Sequence, residues 1–162
     1  MGVAGCGKST IARRLAARLK IEFLDADAFH SKENIEKMSR GIALTDADRE
    51  PWLNTLREAV ELRIAEGRSA TLACSALKRK YRQVLTVDSA KQCFVYLRGS
   101  QTLFESRLAH RKQHFMKSDM LKSQFETLEE PGADEAIICD AGMPVMQIVG
   151  EIIKGLPDNM TS

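Results

Sequence analysis

The sequence predicts an α/β fold: a parallel sheet with helices on both faces, in three layers. Three observations carry this. Short apolar runs alternate with helix-period segments along the chain. Those runs are continuously apolar rather than alternating, as strands buried on both faces require. No repeat, low-complexity tract or Pro/Gly-rich linker divides the 162 residues, so residues 1–162 read as one domain.

Taken in order, Lys8–Lys20 is a predicted helix with Ile11, Leu15 and Leu19 on one stripe, and Ile21–Leu24 is a buried strand stopping at Asp25. Ser31–Ser39 is a short helix. Asp48–Glu66 is a longer one, with Pro51 in its first turn, an inward stripe of Trp52, Leu53, Leu56, Val60 and Ile64, and Gly67 as its stop. Ala70–Cys74 is the next strand and Lys78–Val87 a helix. Cys93–Leu97 is a third strand, Ser100 to about Lys112 a helix, Gln113–Asp119 an irregular polar stretch and Met120–Leu128 another helix. Ala136–Cys139 is a fourth strand. Pro144–Lys154 closes the fold as a helix turning Val145, Ile148, Val149, Ile152 and Ile153 inward.

Composition removes several classes. With 44% hydrophobic and 28% charged residues the chain has the make-up of a compact globular domain. Its net charge of +2 is spread without a basic stripe, which argues against a nucleic-acid partner. No run of 18 apolar residues exists and Lys8, Arg13 and Arg14 break any leader-like core, so a membrane partner is not expected and the cytoplasm is. Cys6, Cys74, Cys93 and Cys139 lie far apart, which fits free thiols in a reducing compartment rather than a zinc site.

The strongest local signal is Gly2-Val3-Ala4-Gly5-Cys6-Gly7-Lys8-Ser9, which matches G-x-x-x-x-G-K-[ST] directly before a predicted helix. Glycines let the backbone curl so that successive N–H groups face one concavity, and the helix N-terminus adds free donors and a positive dipole end. Gly2 to Thr10 are therefore the candidate phosphate-binding residues, with Lys8 reaching the β- and γ-phosphates of ATP and Ser9 a ligand of Mg²⁺. Such a loop ordinarily follows a strand, yet only Met1 stands before Gly2. The first sheet strand is thus expected to be absent before Gly2, leaving a gap whose unpaired backbone groups would each cost about 1–3 kcal/mol; either the true start lies upstream or this is a truncated form with compromised fold and activity.

Further blocks follow: Asp25-Ala26-Asp27-Ala28-Phe29-His30 with Asn34, Lys37 and Met38; Asp48-Arg49-Glu50-Pro51-Trp52-Leu53; Cys74-Ser75-Ala76-Leu77-Lys78-Arg79-Lys80-Tyr81-Arg82; His114-Phe115-Met116; and Gln124-Phe125-Glu126-Thr127-Leu128-Glu129-Glu130-Pro131. In order and spacing, from Gly2 to about Asp134, the chain resembles the gluconokinase family, small P-loop kinases akin to shikimate and nucleoside monophosphate kinases. The resemblance implies a P-loop kinase fold with a mobile lid at about 107–122 and a substrate-binding helical region at about 28–66. It also implies ATP- and Mg²⁺-dependent phosphorylation of D-gluconate to 6-phosphogluconate, and a homodimer.

Phosphoryl transfer to a primary hydroxyl needs a carboxylate near the acceptor. Asp27 is the candidate, because alternation along an extended segment would point Asp25 and Asp27 the same way, with Asp25 nearer Mg²⁺; helix capping is the competing role for both. An anionic polyol needs cations for its carboxylate and donors for its hydroxyls. Arg49, Lys78 and Arg82 are the candidate cations, and His30 and Asn34 the candidate hydroxyl partners. Trp52, on the Leu53/Leu56 side of its helix, is expected to be a core anchor.

By the same resemblance Arg107 would stack on adenine and Arg111 would reach the transferred phosphate; two exposed arginines on an amphipathic helix is the other reading. Gln113 stands where the family has glycine, and Ala4 and Cys6 where serines are usual. Cys6, at a helix start beside Lys8, has the setting of a reactive thiol, so thiol reagents should inactivate and ATP protect; an inert small residue is the alternative. Two other activities stay open. One is a related small-molecule kinase; the other is an impaired nucleotide-binding form, which the missing strand favours.

Overall fold

A computed structural model describes residues 1–110, 118–157 and 160. Strands β1 (Glu22–Asp25) and β2 (Ala70–Ala73) pair in parallel, Glu22 opposite Ala70 and Asp25 opposite Ala73. Strands β3 (Phe94–Arg98) and β4 (Ala136–Asp140) form a second parallel pair, Phe94 opposite Ala136 and Arg98 opposite Asp140. Each strand sits where an apolar run predicted it, and both pairs are parallel because helices cross over between them.

Among the described residues the two pairs do not share a ladder. At their facing edges the described backbone bonds run through Met1 and Gly2. The Met1 amino group donates to the Val95 carbonyl, the Leu97 N–H donates to the Met1 carbonyl at 3.1 Å, and the Gly2 N–H donates to the Ser75 carbonyl at 3.1 Å. Met1 thus holds one residue's worth of strand position between β2 and β3. Beyond it runs a cavity of about 500 Å³ walled by Ile11, Leu15, Val60, Leu72, Phe94 and Val95. The expected gap is present, and its effect is local: Leu72, Phe94 and Val95, residues of inner strands, are only half-buried. Val60 and Ile64, predicted to face inward, line this cavity and stay half-exposed for the same reason. Burial also pushes the Met1 amino group down to about 6.

Seven helices are described: α1 (Lys8–Leu19), α2 (Lys32–Ser39), α3 (Asp46–Ala65), α4 (Arg79–Leu85), α5 (Gln101–Ala109), α6 (Ser118–Thr127) and α7 (Val145–Gly155). Helix α3 begins two residues before the predicted start. Thr45 and Asp48 form a reciprocal capping box, Thr45 Oγ1 accepting from the Asp48 N–H at 3.2 Å and Asp48 Oδ2 from the Thr45 N–H at 2.9 Å. Pro51 consequently falls in the second turn. Helix α6 also starts two residues earlier than the pattern suggested. In α7, Ile148, Val149 and Ile152 are buried, whereas Val145 is exposed at the helix start.

Two apolar clusters result. The larger joins the phosphate loop to α1, α5, α6 and α7 through Val3, Cys6, Leu15, Phe104, Leu121 and Ile148. The smaller packs α3 on β2 and α4 through Trp52, Leu56, Cys74, Tyr81 and Leu85. Among the described residues no helix is long and apolar enough to cross a membrane.

Candidate active site

The site starts at the phosphate loop. Gly5 has φ +78° and a Cβ there would lie 2.9 Å from the Phe104 carbonyl oxygen, so both its backbone angle and its neighbour demand glycine. Gly7, at φ +102°, precedes α1 without any side-chain cap, which leaves the first amides of α1 to accept an anion. Lys8 folds back over the loop, its Nζ donating to the Val3 carbonyl at 2.9 Å. Ser9 Oγ donates to Asp25 Oδ2 at 3.2 Å, which ties the loop to the end of β1. Thr10 is exposed beside a cavity of about 430 Å³ shared with Gly5, Gly7, Arg107, Ala141 and Val145. Arg107 is fixed there, Nη2 donating to the Ala141 carbonyl at 2.7 Å, and Val145 owes its exposure to this opening.

Cys6 is 1% exposed, with Sγ against Gly2, so its thiol is shielded in the folded chain. The expected reactive thiol is corrected to a small packing residue. Cys74 is likewise buried, and burial pushes its thiol up to about 11.

At the end of β1 the chain turns rather than staying extended. Residues Ala26–Phe29 form a 3₁₀ turn capped by Asp25, whose Oδ1 accepts the Asp27 N–H at 3.3 Å. The alternation argument for Asp25 and Asp27 therefore fails, since Asp27 lies in the turn. Asp25 both caps and accepts from Ser9, and Asp27 stands exposed beside it. Trp52 is buried, Nε1 donating to the Ala26 carbonyl at 2.8 Å, as expected of a core anchor. His30 stacks on it with ring centroids 4.4 Å apart, and its buried Nδ1 has no protein partner. Burial lowers the His30 pKa, Asp27 opposes that and Arg49 adds to it, so all three lie within electrostatic reach.

Asn34 is buried, and its Nδ2 donates to the Asp48 carbonyl at 2.8 Å. Lys37 pairs with Asp48 Oδ1 at 2.5 Å, and with Thr45 it holds that carboxyl down at about 2. Arg49 Nε donates to the Leu44 carbonyl at 3.3 Å and its guanidinium sits 5.8 Å from the Tyr81 ring centre. Lys78 lies 5.6 Å and Lys80 5.9 Å from the same ring. Asp46 gathers Lys80, the Tyr81 hydroxyl and Lys78, and these bonds hold its carboxyl well below the ordinary range. Ala76, in the loop before α4, takes a left-handed φ of +44° while fully buried, a strained backbone held by its surroundings.

Arg82 is placed differently from the other candidates. It is 2% exposed, with Nε and Nη2 on Glu135 at 2.5 and 3.1 Å and Nη1 on the carbonyls of Ala76, Leu77 and Glu129. So engaged, it clamps α4 to the segment before β4 rather than facing a ligand. Arg111 and the block His114-Phe115-Met116, with Gln113, lie outside the described residues. Two groups escaped the sequence reading. Both stood inside blocks that carry the resemblance without a role assigned: Lys80 two residues from Lys78, and Gln124, whose Oε1 accepts the Ala4 N–H at 2.6 Å across 120 residues of sequence.

A phosphate loop at the start of a parallel α/β domain, with carboxylates at a strand end and cations gathered beyond them, defines a P-loop phosphotransferase. A family model described as an AAA domain matches residues 1–131. The thermoresistant gluconokinase of Escherichia coli (strain K12) is 44% identical over 156 residues, 95% of this chain and 89% of that protein. A sugar kinase from Janibacter sp. HTCC2649, solved unliganded, superposes with a TM-score of 0.88 at 44% identity, covering 95% of this chain and 90% of that one. A gluconokinase from Sinorhizobium meliloti 1021 gives 0.83 at 41% identity, covering 96% and 87%. The chain belongs to the gluconokinase family.

Proposed function

We propose that the chain transfers the γ-phosphoryl group of ATP to the 6-hydroxyl of D-gluconate. The observation that carries the reading is the Ser9–Asp25–Asp27 linkage, which joins the phosphate loop to the acceptor side of the site. Loop amides from Gly2 to Thr10 and the Lys8 ammonium hold the phosphates, and Arg107 borders the cavity suited to the base. A hydroxyl and a carboxylate oxygen 3.2 Å apart are hard oxygen donors suited to Mg²⁺, with water and phosphate oxygens completing the shell. When bound, Mg²⁺ neutralises charge on the β- and γ-phosphates; Ser9 would hold it directly and Asp25 through water.

Asp27 orients the 6-hydroxyl and takes its proton as that oxygen attacks phosphorus. The O6–P bond forms, the bond from phosphorus to the β,γ-bridging oxygen breaks, and ADP leaves with that electron pair. Arg49 and Lys78 bind the gluconate carboxylate, and Nδ1 of His30, which has no protein partner, takes a substrate hydroxyl with Asn34 beside it. Arg111 is proposed on resemblance alone to reach the transferred phosphate within a lid spanning about 107–122. The helical region at about 28–66 holds the acceptor. The resemblance likewise supports a homodimer.

A coupled assay for 6-phosphogluconate, run beside shikimate and nucleoside monophosphates, tests this. Gluconate should be the preferred acceptor, and Asp27→Asn should lower kcat by about 10²–10⁴-fold while ATP still binds. ATP binding without turnover of any acceptor would favour the impaired nucleotide-binding form.

A further inference from the structure

One peptide unit of the phosphate loop is gripped from both sides. The carbonyl of Val3 accepts from Lys8 Nζ at 2.9 Å, and the N–H of the next residue, Ala4, donates to Gln124 Oε1 at 2.6 Å. Lys8 belongs to the loop itself, but Gln124 comes from α6, the helix that follows residues 111–117. That helix is firmly seated. Leu121 is fully buried in the cluster that contains Val3, Ala4 and Cys6, and Phe125 stacks on Phe104 of α5 with centroids 6.1 Å apart. Phe104 in turn supplies the carbonyl that presses on Gly5. The loop is therefore wedged between α5 and α6, and the only described side-chain bond to a loop amide is the one from Gln124.

We propose that Gln124 is a positioning residue for the phosphate site: by fixing the Val3–Ala4 peptide plane it sets the point on which Lys8 leans. Ala4 is buried, so without Gln124 its N–H has no protein acceptor and no water to replace one. The peptide then gains from rotating, its carbonyl swings away from Lys8, and the ammonium loses its placement over the loop. The effect falls on the nucleotide rather than on the acceptor, since His30, Asn34, Arg49 and Lys78 are all held by α2, α3 and Tyr81. It also means that the seating of α6 reaches the loop through this hydrogen bond as well as through the packing of Leu121.

This rests on the phosphate-binding half of the proposed function, so its test reads nucleotide binding separately from turnover. Gln124→Met keeps the length and volume of the side chain and removes the acceptor; Gln124→Glu keeps an oxygen acceptor at the same reach. For Gln124→Met the expected result is ATP binding about tenfold weaker by calorimetry, an unchanged KM for gluconate, a Tm lowered by a few degrees, and faster hydrogen exchange of the Ala4 amide. Gln124→Glu should restore slow exchange at Ala4. Unchanged ATP affinity and unchanged Ala4 exchange in Gln124→Met would overturn the proposal. Weaker binding accompanied by a much larger fall in Tm and a raised gluconate KM would overturn it too, by showing a general packing role. Absence of gluconate turnover in the parent would count against the proposed acceptor and leave the calorimetric comparison intact.

Discussion

The two halves of the sheet are held together by different forces. The β3–β4 half, with α1, α5, α6 and α7, is an apolar body in which Phe104, Leu121, Val149 and Ile152 are almost fully buried and the phosphate loop is part of the core. The β1–β2 half carries a smaller apolar cluster, and its outer parts are tied by polar links: Asp46 to Lys78, Lys80 and Tyr81, Lys37 and Asn34 to Asp48, and Arg57 to the Val84 and Thr86 carbonyls at 2.8 and 3.0 Å. A phosphate cradle gains from rigidity, because its amides must already point inward when the anion arrives. An acceptor site built from charged side chains on separate helices is adjustable, and exposed ion pairs of this kind each add little to stability. Between the halves the described backbone bridges are Met1 and Gly2 at the facing strand edges and the Glu129 N–H, which donates to the Leu77 carbonyl at 2.9 Å.

Arg82 offers the largest test of this contrast. It sits in the acceptor half yet is buried like the other half's core, so Arg82→Met should cost about 3–5 kcal/mol in denaturant unfolding, by taking the donor from Glu135 and from the Ala76 and Glu129 carbonyls, while the Leu77 carbonyl keeps the Glu129 N–H. A normal Tm together with a raised gluconate KM would instead return Arg82 to the substrate.

The next effect is in pH. The Met1 amine binds its proton below 8.0 when unfolded but only below about 6 when folded. Between those values the unfolded chain holds the extra proton, so stability should rise with pH through this window, by about 3 kcal/mol, and be flat below it. Denaturant melts from pH 5.5 to 8.5 read this; acetylating the amine should remove the rise between pH 6.5 and 8 and leave only the part near pH 6 that the lowered His30 pKa contributes.

The smallest expected effect comes from the groove itself. Joining five apolar, β-branched residues to the Met1 nitrogen should fill the cavity and pair the facing edges of β2 and β3, adding about 2 kcal/mol, or roughly 5 °C in Tm. A Gly/Ser segment of equal length should add nothing. Equal melting of the two would mean that the halves are already independent.

Much of the fold was legible in the sequence, since periodicity reports burial and burial positions the strands: Glu22–Asp25, Ala70–Ala73, Phe94–Arg98 and Ala136–Asp140 lie where continuous apolar runs stood. The phosphate loop was legible because its glycines serve local backbone geometry, and the gap beside Met1 because that loop needs a strand before it. Local capping was harder to read. The Thr45/Asp48 box moved the start of α3, and Asp25 turned the segment after β1 into a 3₁₀ turn, so the alternation that selected Asp27 did not survive.

The sequence by itself determined the strand–helix alternation, the phosphate loop and the family blocks, because each depends on residues close together in the chain. The tertiary structure alone decided that Arg82 is a buried clamp, that Cys6 is shielded, that Val60 and Ile64 face a cavity, and that Gln124 reaches Ala4. Those outcomes depend on which surfaces meet after the helices cross over, and side chains 50 to 120 residues apart leave no local pattern for a sequence to display.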